Sequence, residues 1–307
     1  MMKYFIAIMV VTTWGTTFVS SKVLLNAGLM PADIFFYRFL MAYFIMLFLC
    51  HKKLRADNIK DELTFLGLGL MGGSIYFLTE NMALSYSTTA NVSILVSTTP
   101  IITAFVLALF YKNERMKLRQ IIGSFIAFIG VTLIVLNGQL NLHINPLGDT
   151  LALIAATTWA FYSLFMKRVM GRYSSDFITR KIFFYGVLTI LPYFAIVQPL
   201  DTDTSMLFKL HIIGNLIFLG VIASSLAYLM WSWALREIGT VKASNLIYTQ
   251  TLVTMILGSI VLGERITLMA VSGVIILFTG VILAVRTPKE KISVKQKLSA
   301  FEKDTAE

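Results

Sequence analysis

Along this chain the apolar runs are long and the polar interruptions short. A helix rising about 1.5 Å per residue needs about 20 mostly apolar residues to cross about 30 Å of hydrocarbon. Ten stretches qualify: residues 4–25, 32–50, 63–84, 90–111, 119–136, 147–166, 182–199, 212–235, 243–262 and 268–285. We number them spans one to ten. Short links join most of them, so the pattern predicts an all-α polytopic membrane protein. Residues 288–307 form a polar tail, in which Val294, Leu298 and Phe301 fall at the spacing of a short interfacial helix.

The apolar pattern also repeats. Glu114, Arg115, Leu118, Gly123, Ile126, Phe128, Gly130, Val131, Leu133 and Val135 recur 150 residues later as Glu264, Arg265, Leu268, Gly273, Ile276, Phe278, Gly280, Val281, Leu283 and Val285. Thr12-Thr13-Trp14 recurs as Thr157-Thr158-Trp159, Lys22 as Lys167, and Ala83-Leu84 as Ala234-Leu235. The chain therefore reads as a duplication, residues 1–140 and 141–287, with five spans in each half. Five is odd, so the second half enters the bilayer from the opposite side. Two inverted five-helix repeats around a central site are a plan of secondary transporters.

Charge sets the expected orientation. With the N-terminus inside, 22 of the 26 Lys and Arg residues fall in cytoplasmic segments, so both termini are expected in the cytoplasm of a cell carrying the protein in its cytoplasmic membrane. The net charge of +10 then reflects topology, and nucleic acid is not an expected partner. Lys3 precedes an apolar run that continues past Trp14 without a small-x-small cleavage site, which argues for a retained first span.

Composition narrows the chemistry. The chain is 57% apolar and 14% charged, against about 25% charged in a soluble domain. Its single cysteine, Cys50, excludes an internal disulfide, and three histidines near span ends give little material for a metal or a catalytic triad. No cofactor, metal or catalytic residue is expected. Gly67, Gly69 and Gly72 spell GxGxxG, but within a span, where Gly69 and Gly73 suit close helix packing better than dinucleotide binding.

The order of these motifs resembles the drug/metabolite transporter superfamily, and within it the EamA-type ten-span transporters. The resemblance rests on Trp14-Gly15 with Phe18 and Lys22, on Arg38-Phe39, on Pro100, and on Glu114-Arg115 with its copy Gly263-Glu264-Arg265. It implies a 5+5 bundle that moves small metabolites, often outward, through a cavity lined mainly by spans one, three, four, six, eight and nine. One position departs from the pattern. Members often carry proline in span nine where Pro100 repeats, whereas this chain has Gln250, which argues against a helix break there.

Several residues are candidates for the substrate or coupling-ion site. Glu80 lies within span three, and a carboxylate at that depth is costly unless it has a task. Arg38 in span two lies at a similar depth, about 9 Å from the same bilayer surface at 1.5 Å per residue, so the two could pair. Such a pair could equally be a structural lock. Asn81, Tyr248 and Gln250 bring polar groups into spans three and nine, where amides also serve to join helices. Tyr248 and Gln250 stand about 200° apart on a helix, so only one is expected to see a cavity. Trp14 and Trp159 lie well within their spans; Trp231 and Trp233 read either as belt residues or as aromatic walls. Lys22 suits an interfacial snorkelling residue.

The expected function is alternating-access transport of small metabolites (amino acids, related amphipathic compounds or drugs). Proton coupling, an uncoupled facilitator or channel, and more remotely an intramembrane enzyme remain alternatives. The lipid bilayer and a small-molecule substrate are the expected partners. The alignment of the halves pairs Glu80 with Trp231 and Pro100 with Gln250, so specificity is sought where the repeats differ.

Overall fold

In hydrocarbon a backbone N–H or C=O must find its partner within its own helix. The computed structural model meets this demand with helices throughout. It describes residues 2–87, 89–111, 117–136, 145–200, 207–262 and 267–285. Glu114, Glu264 and the tail with Val294, Leu298 and Phe301 lie outside the described residues.

Among the described residues, nine helices are long and apolar enough to cross a membrane. Span one is Met2–Asn26, span two Pro31–Leu49, span three Ile59–Tyr86 and span four Val92–Phe110. Spans five to eight are Leu118–Leu136, Pro146–Val169, Ser175–Ile196 and Leu210–Ile238, and span ten is Leu268–Val285. The remaining stretch, span nine, is built from two shorter helices, Thr240–Leu246 and Gln250–Leu262. Gly239, at φ +83°, turns the chain from span eight into it in a conformation that suits glycine.

Two expectations need correction. Span seven begins at Ser175 and span three at Ile59, so Arg180, Lys181, Asp61 and Glu62 belong to helices and not to loops. Hydropathy trims these turns because it counts each charge alone. The fold instead places the charges against one another, across the two halves. The other correction concerns Gln250. Span nine breaks without proline, through a single 3-10 turn at Ile247–Thr249. The Thr249 hydroxyl donates to the Leu246 carbonyl at 2.7 Å, and its repeat mate Thr99 donates to Val96 at 2.6 Å just before Pro100. Hydroxyls that bond back along the helix favour bends, so the break is written in threonine in both halves.

Spans three and eight share a second irregularity. Each contains a π-helical segment, Leu70–Ser74 and Phe218–Leu226, at equivalent positions of the repeat. Gly69, just before the first segment, and its mate Gly220, within the second, let helices of opposite halves approach. A Cβ on Gly69 would lie 2.4 Å from Tyr185 Cβ of span seven, and one on Gly220 would lie 2.6 Å from the Met41 methyl of span two.

The opening repeat forms a seam of its own. A Cβ on Gly130 would meet the Leu277 nitrogen at 2.4 Å, and one on Gly280 the Ala127 nitrogen at 2.2 Å. Gly123 sits against Gly280 and Gly273 against Gly130, so spans five and ten run antiparallel at backbone contact. The two contacts are mates: what Gly123 makes with the Gly280 carbonyl, its equivalent Gly273 makes with the Gly130 carbonyl. This is the geometry that an inverted duplication requires.

Candidate functional site

Where the halves meet, aromatic rings surround a small cavity. Span one supplies Trp14, Thr17 and Phe18; span two Arg38; span three Tyr76, Phe77 and Glu80. Val96 and Thr99 come from span four, Trp159 from span six, Tyr228 from span eight, and Ile247 and Gln250 from span nine. Its volume is about 30 Å³, room for about two waters and far less than a metabolite needs. The space between the rings is narrow in this conformation.

The tryptophans form the wall. Trp14 meets Trp159 edge-on at 5.3 Å between ring centroids, Trp231 at 5.1 Å and Tyr228 at 5.7 Å. Edge-to-face contacts of this kind are favourable beyond their buried area. The Trp14 indole donates to the Ala223 carbonyl at 3.0 Å, within the π-helical segment of span eight. Such segments leave carbonyls outside the regular ladder, and they recur at functional sites.

Glu80 and Arg38 line the same cavity, 7% and 1% exposed. Glu80 accepts a hydrogen bond from the Tyr76 hydroxyl at 2.7 Å. Arg38 donates through Nε to Ser224 Oγ at 3.0 Å, and its guanidinium lies 4.2 Å from the centre of the Phe77 ring. Among the described residues no ion pair joins them; the pairs are Lys53–Asp57, Arg172–Asp61 and Lys181–Glu62. The cavity thus holds a carboxylate and a guanidinium that each hydrogen-bond to another neighbour. A zwitterion or an amphipathic ion could engage both, with the rings covering its apolar part.

The other candidates lie behind the wall or away from it. Gln250 lines the cavity, while Tyr248 is fully buried outside it. Asn81 is also buried outside it and donates to the Pro31 carbonyl at 3.2 Å, joining spans two and three. Trp231 is fully buried against Trp14, so a belt position does not apply to it. Lys22 donates through its ammonium to the Leu84 carbonyl at 2.8 Å, near the end of span three. Asn245 accepts from Ser124 at 2.7 Å and joins spans nine and five. Among the described residues no three His, Cys, Asp or Glu side chains gather to hold a metal ion.

Sequence reasoning missed Tyr76, Phe77, Thr17, Thr99, Ser224 and Tyr228. Aromatic and hydroxyl residues are common in every span, and only the register of the repeat singles out a pair such as Phe77 and Tyr228.

Closure at the two ends of the bundle differs. At one end Arg172 grips Asp61 with two hydrogen bonds, of 2.8 and 2.5 Å, and Tyr173 donates to the same carboxylate at 2.7 Å. Beside it Lys181 and Tyr185 both donate to Glu62, and Arg180 donates to the Lys53 carbonyl at 2.5 Å. Burial pushes the Tyr173 hydroxyl up to about 12, so it remains a donor at any ordinary pH. At the other end the halves meet through Ser20 to Asn215 at 2.6 Å, Asn145 to the Tyr86 carbonyl at 2.8 Å, and Ser87 to the Asp149 carboxylate at 3.3 Å.

The profile of the EamA-like transporter family matches the chain twice, over residues 1–136 and 146–286. The chain belongs to the EamA-like transporter family. The two matches to the EamA-like family fall on the two halves of the duplication. Among similar proteins, an "Uncharacterized transporter" of Archaeoglobus fulgidus is 27% identical over 93% of this chain and 99% of its own length. A "Probable amino-acid metabolite efflux pump" of Escherichia coli is 26% identical over 91% and 93%, and one of Salmonella typhimurium 28% over 92% and 94%. A solved crystal structure superposes with a TM-score of 0.70 at 15% identity, covering 92% of this chain and 96% of the other, a likeness of fold alone.

Proposed function

We propose that this EamA-like transporter is a secondary exporter of small amphipathic metabolites, amino acids and related compounds first, working by alternating access. One observation carries the proposal: a narrow aromatic cavity between inverted halves that holds Glu80 and Arg38 without an ion pair between them. The names of the Escherichia coli and Salmonella typhimurium relatives support the substrate class and the outward direction. The bias of Lys and Arg supports a cytoplasmic-membrane location with both termini in the cytoplasm. In that orientation the Asp61–Arg172 and Glu62–Lys181 cluster closes the cytoplasmic side of the cavity.

In this reading Arg38 meets an anionic group of the substrate, and the tryptophans cover its apolar part. Glu80 meets a cationic group or carries a coupled proton. Counterflow and gradient-driven uptake in proteoliposomes, over a panel of amino acids and aromatic metabolites, test the proposal. Acceleration by trans substrate is expected of a carrier and not of a channel. Glu80→Gln separates the two roles of the carboxylate. Loss of both counterflow and net transport marks a substrate contact, whereas counterflow that survives loss of pH-driven transport marks a coupling site. Unchanged transport and unchanged pH dependence would remove Glu80 from the mechanism.

A further inference from the structure

Gly72 in span three and Ala223 in span eight occupy equivalent places in the two π-helical segments, 151 residues apart, as Ala83-Leu84 stands to Ala234-Leu235. Both carbonyls accept a side-chain hydrogen bond, but from donors that are not equivalent. Ala223 is held by the Trp14 indole at 3.0 Å, and Gly72 by the Tyr228 hydroxyl at 2.8 Å. By the repeat, the donor that corresponds to Trp14 is Trp159, and the carbonyl that it should reach is Gly72. Trp159 is 5% exposed, and its indole nitrogen has no hydrogen-bond partner. It is close to the place where it would find one. Its ring lies 4.8 Å from that of Tyr162, which fills the space against Gly72 where a Cβ would stand, and 6.0 Å from Tyr228.

A buried donor without an acceptor is unfavourable, and folded proteins seldom keep one without a reason. Here the repeat supplies the reason. When two inverted halves exchange conformations, a contact made in one half reappears at the equivalent place in the other. We propose that the opposite-facing conformation contains the missing bond: Trp159 donates to the Gly72 carbonyl, Tyr228 gives that carbonyl up, and Trp14 releases Ala223. The inference rests on the alternating-access reading. It makes Trp14, Trp159 and Tyr228 positioning residues that set the balance between the two conformations. The halves are not equal in this respect. The residue equivalent to Tyr228 is Phe77, which has no hydroxyl, so the exchanged conformation keeps one of these bonds where the present one has two. These bonds therefore bias the balance toward the conformation described here.

The test uses the full chain in a Cys50→Ser background with a single reporter, Thr17→Cys, on the cavity wall. Rates of reaction with a membrane-impermeant maleimide, applied to cells and to inside-out vesicles, give the ratio of the two conformations. Trp14→Phe and Tyr228→Phe each remove a bond of the present conformation and should move the ratio toward the opposite one by about fivefold, the worth of one buried neutral hydrogen bond. Trp159→Phe removes a bond made only in the opposite conformation and should move the ratio about fivefold the other way. Shifts of one sign for Trp14→Phe and Trp159→Phe, or no shift for Trp159→Phe, overturn the exchange. Tyr228→Phe deletes a single oxygen, so its shift decides the matter if a tryptophan variant fails to fold. A parent reporter that reacts from one side only, even during counterflow with substrate, instead overturns alternating access.

Discussion

The seam between spans five and ten and the cavity between the halves are both built at the symmetry axis from equivalent positions. They treat the duplication in opposite ways. At the seam each half keeps the same glycines, because a backbone contact leaves no room for anything larger. At the cavity the halves have diverged: Glu80 faces no carboxylate mate but Trp231, Phe77 has become Tyr228, and Pro100 is answered by Gln250. Sameness holds the halves together, and difference gives the site its chemistry. Stability and transport should accordingly be separable by mutation.

The largest effect is expected at the seam. Gly280→Leu puts a side chain where the Ala127 nitrogen would be 2.2 Å from Cβ, and neither backbone can move aside within a packed pair. Overpacking costs about 1–3 kcal/mol in ordinary cores, and this site lies at or above that range. Thermal unfolding in detergent, followed by size exclusion, should show loss of the folded fraction before any question of transport arises. Next comes Glu80→Gln, with the opposite signature. Counterflow or pH-driven transport should fall about tenfold, as expected when a charge-assisted contact of about 1.5–3 kcal/mol is lost, while the melting temperature stays near that of the parent. If both measurements moved together in both variants, the division between seam and cavity would be wrong.

Two smaller effects sharpen the contrast. Gln250→Pro makes the second half match the first. Residue 250 is the first of its helix, but its backbone N–H donates to the Ile247 carbonyl across the 3-10 turn, so proline gives up one hydrogen bond there. Stability should fall by about 1 kcal/mol, whereas the ranking of substrates in a counterflow panel should change. Smallest of all is Lys53→Ala. Its pair with Asp57 is 2.5 Å long, with both side chains at least half exposed, and exposed pairs contribute little. The Lys53 hydrogen bond holds the Asp57 carboxyl below the usual range. Its contribution is therefore present above the ordinary aspartate pKa of about 3.9 and fades as pH falls through the lowered value. At pH 7 the melting temperature should move by no more than about 1 °C.

The spans, the duplication and the place of Glu80 were legible from the chain alone, because apolar length and a lone buried carboxylate are strong signals. Asp61, Glu62, Arg180 and Lys181 lie on helical turns beyond the apolar stretches 63–84 and 182–199, since hydropathy cannot see a charge met by a partner from the other half. The π-helical segments left no signature beyond glycine and serine, and so Gly72 and Ala223 could not be singled out. Tyr228 was invisible for a related reason. Its importance lies in a bond to a carbonyl 156 residues away, and no local pattern encodes that.

The seam has one further consequence. Gly123 lies against Gly280 while Gly273 lies against Gly130, so the contact surface of one half is also the surface that it recognises. Such a surface is self-complementary and needs no linker to find its mate. A single five-span chain, inserted once in each direction, would carry everything required to assemble this pair. Joined in one chain, the two copies can differ at the cavity while the seam stays the same.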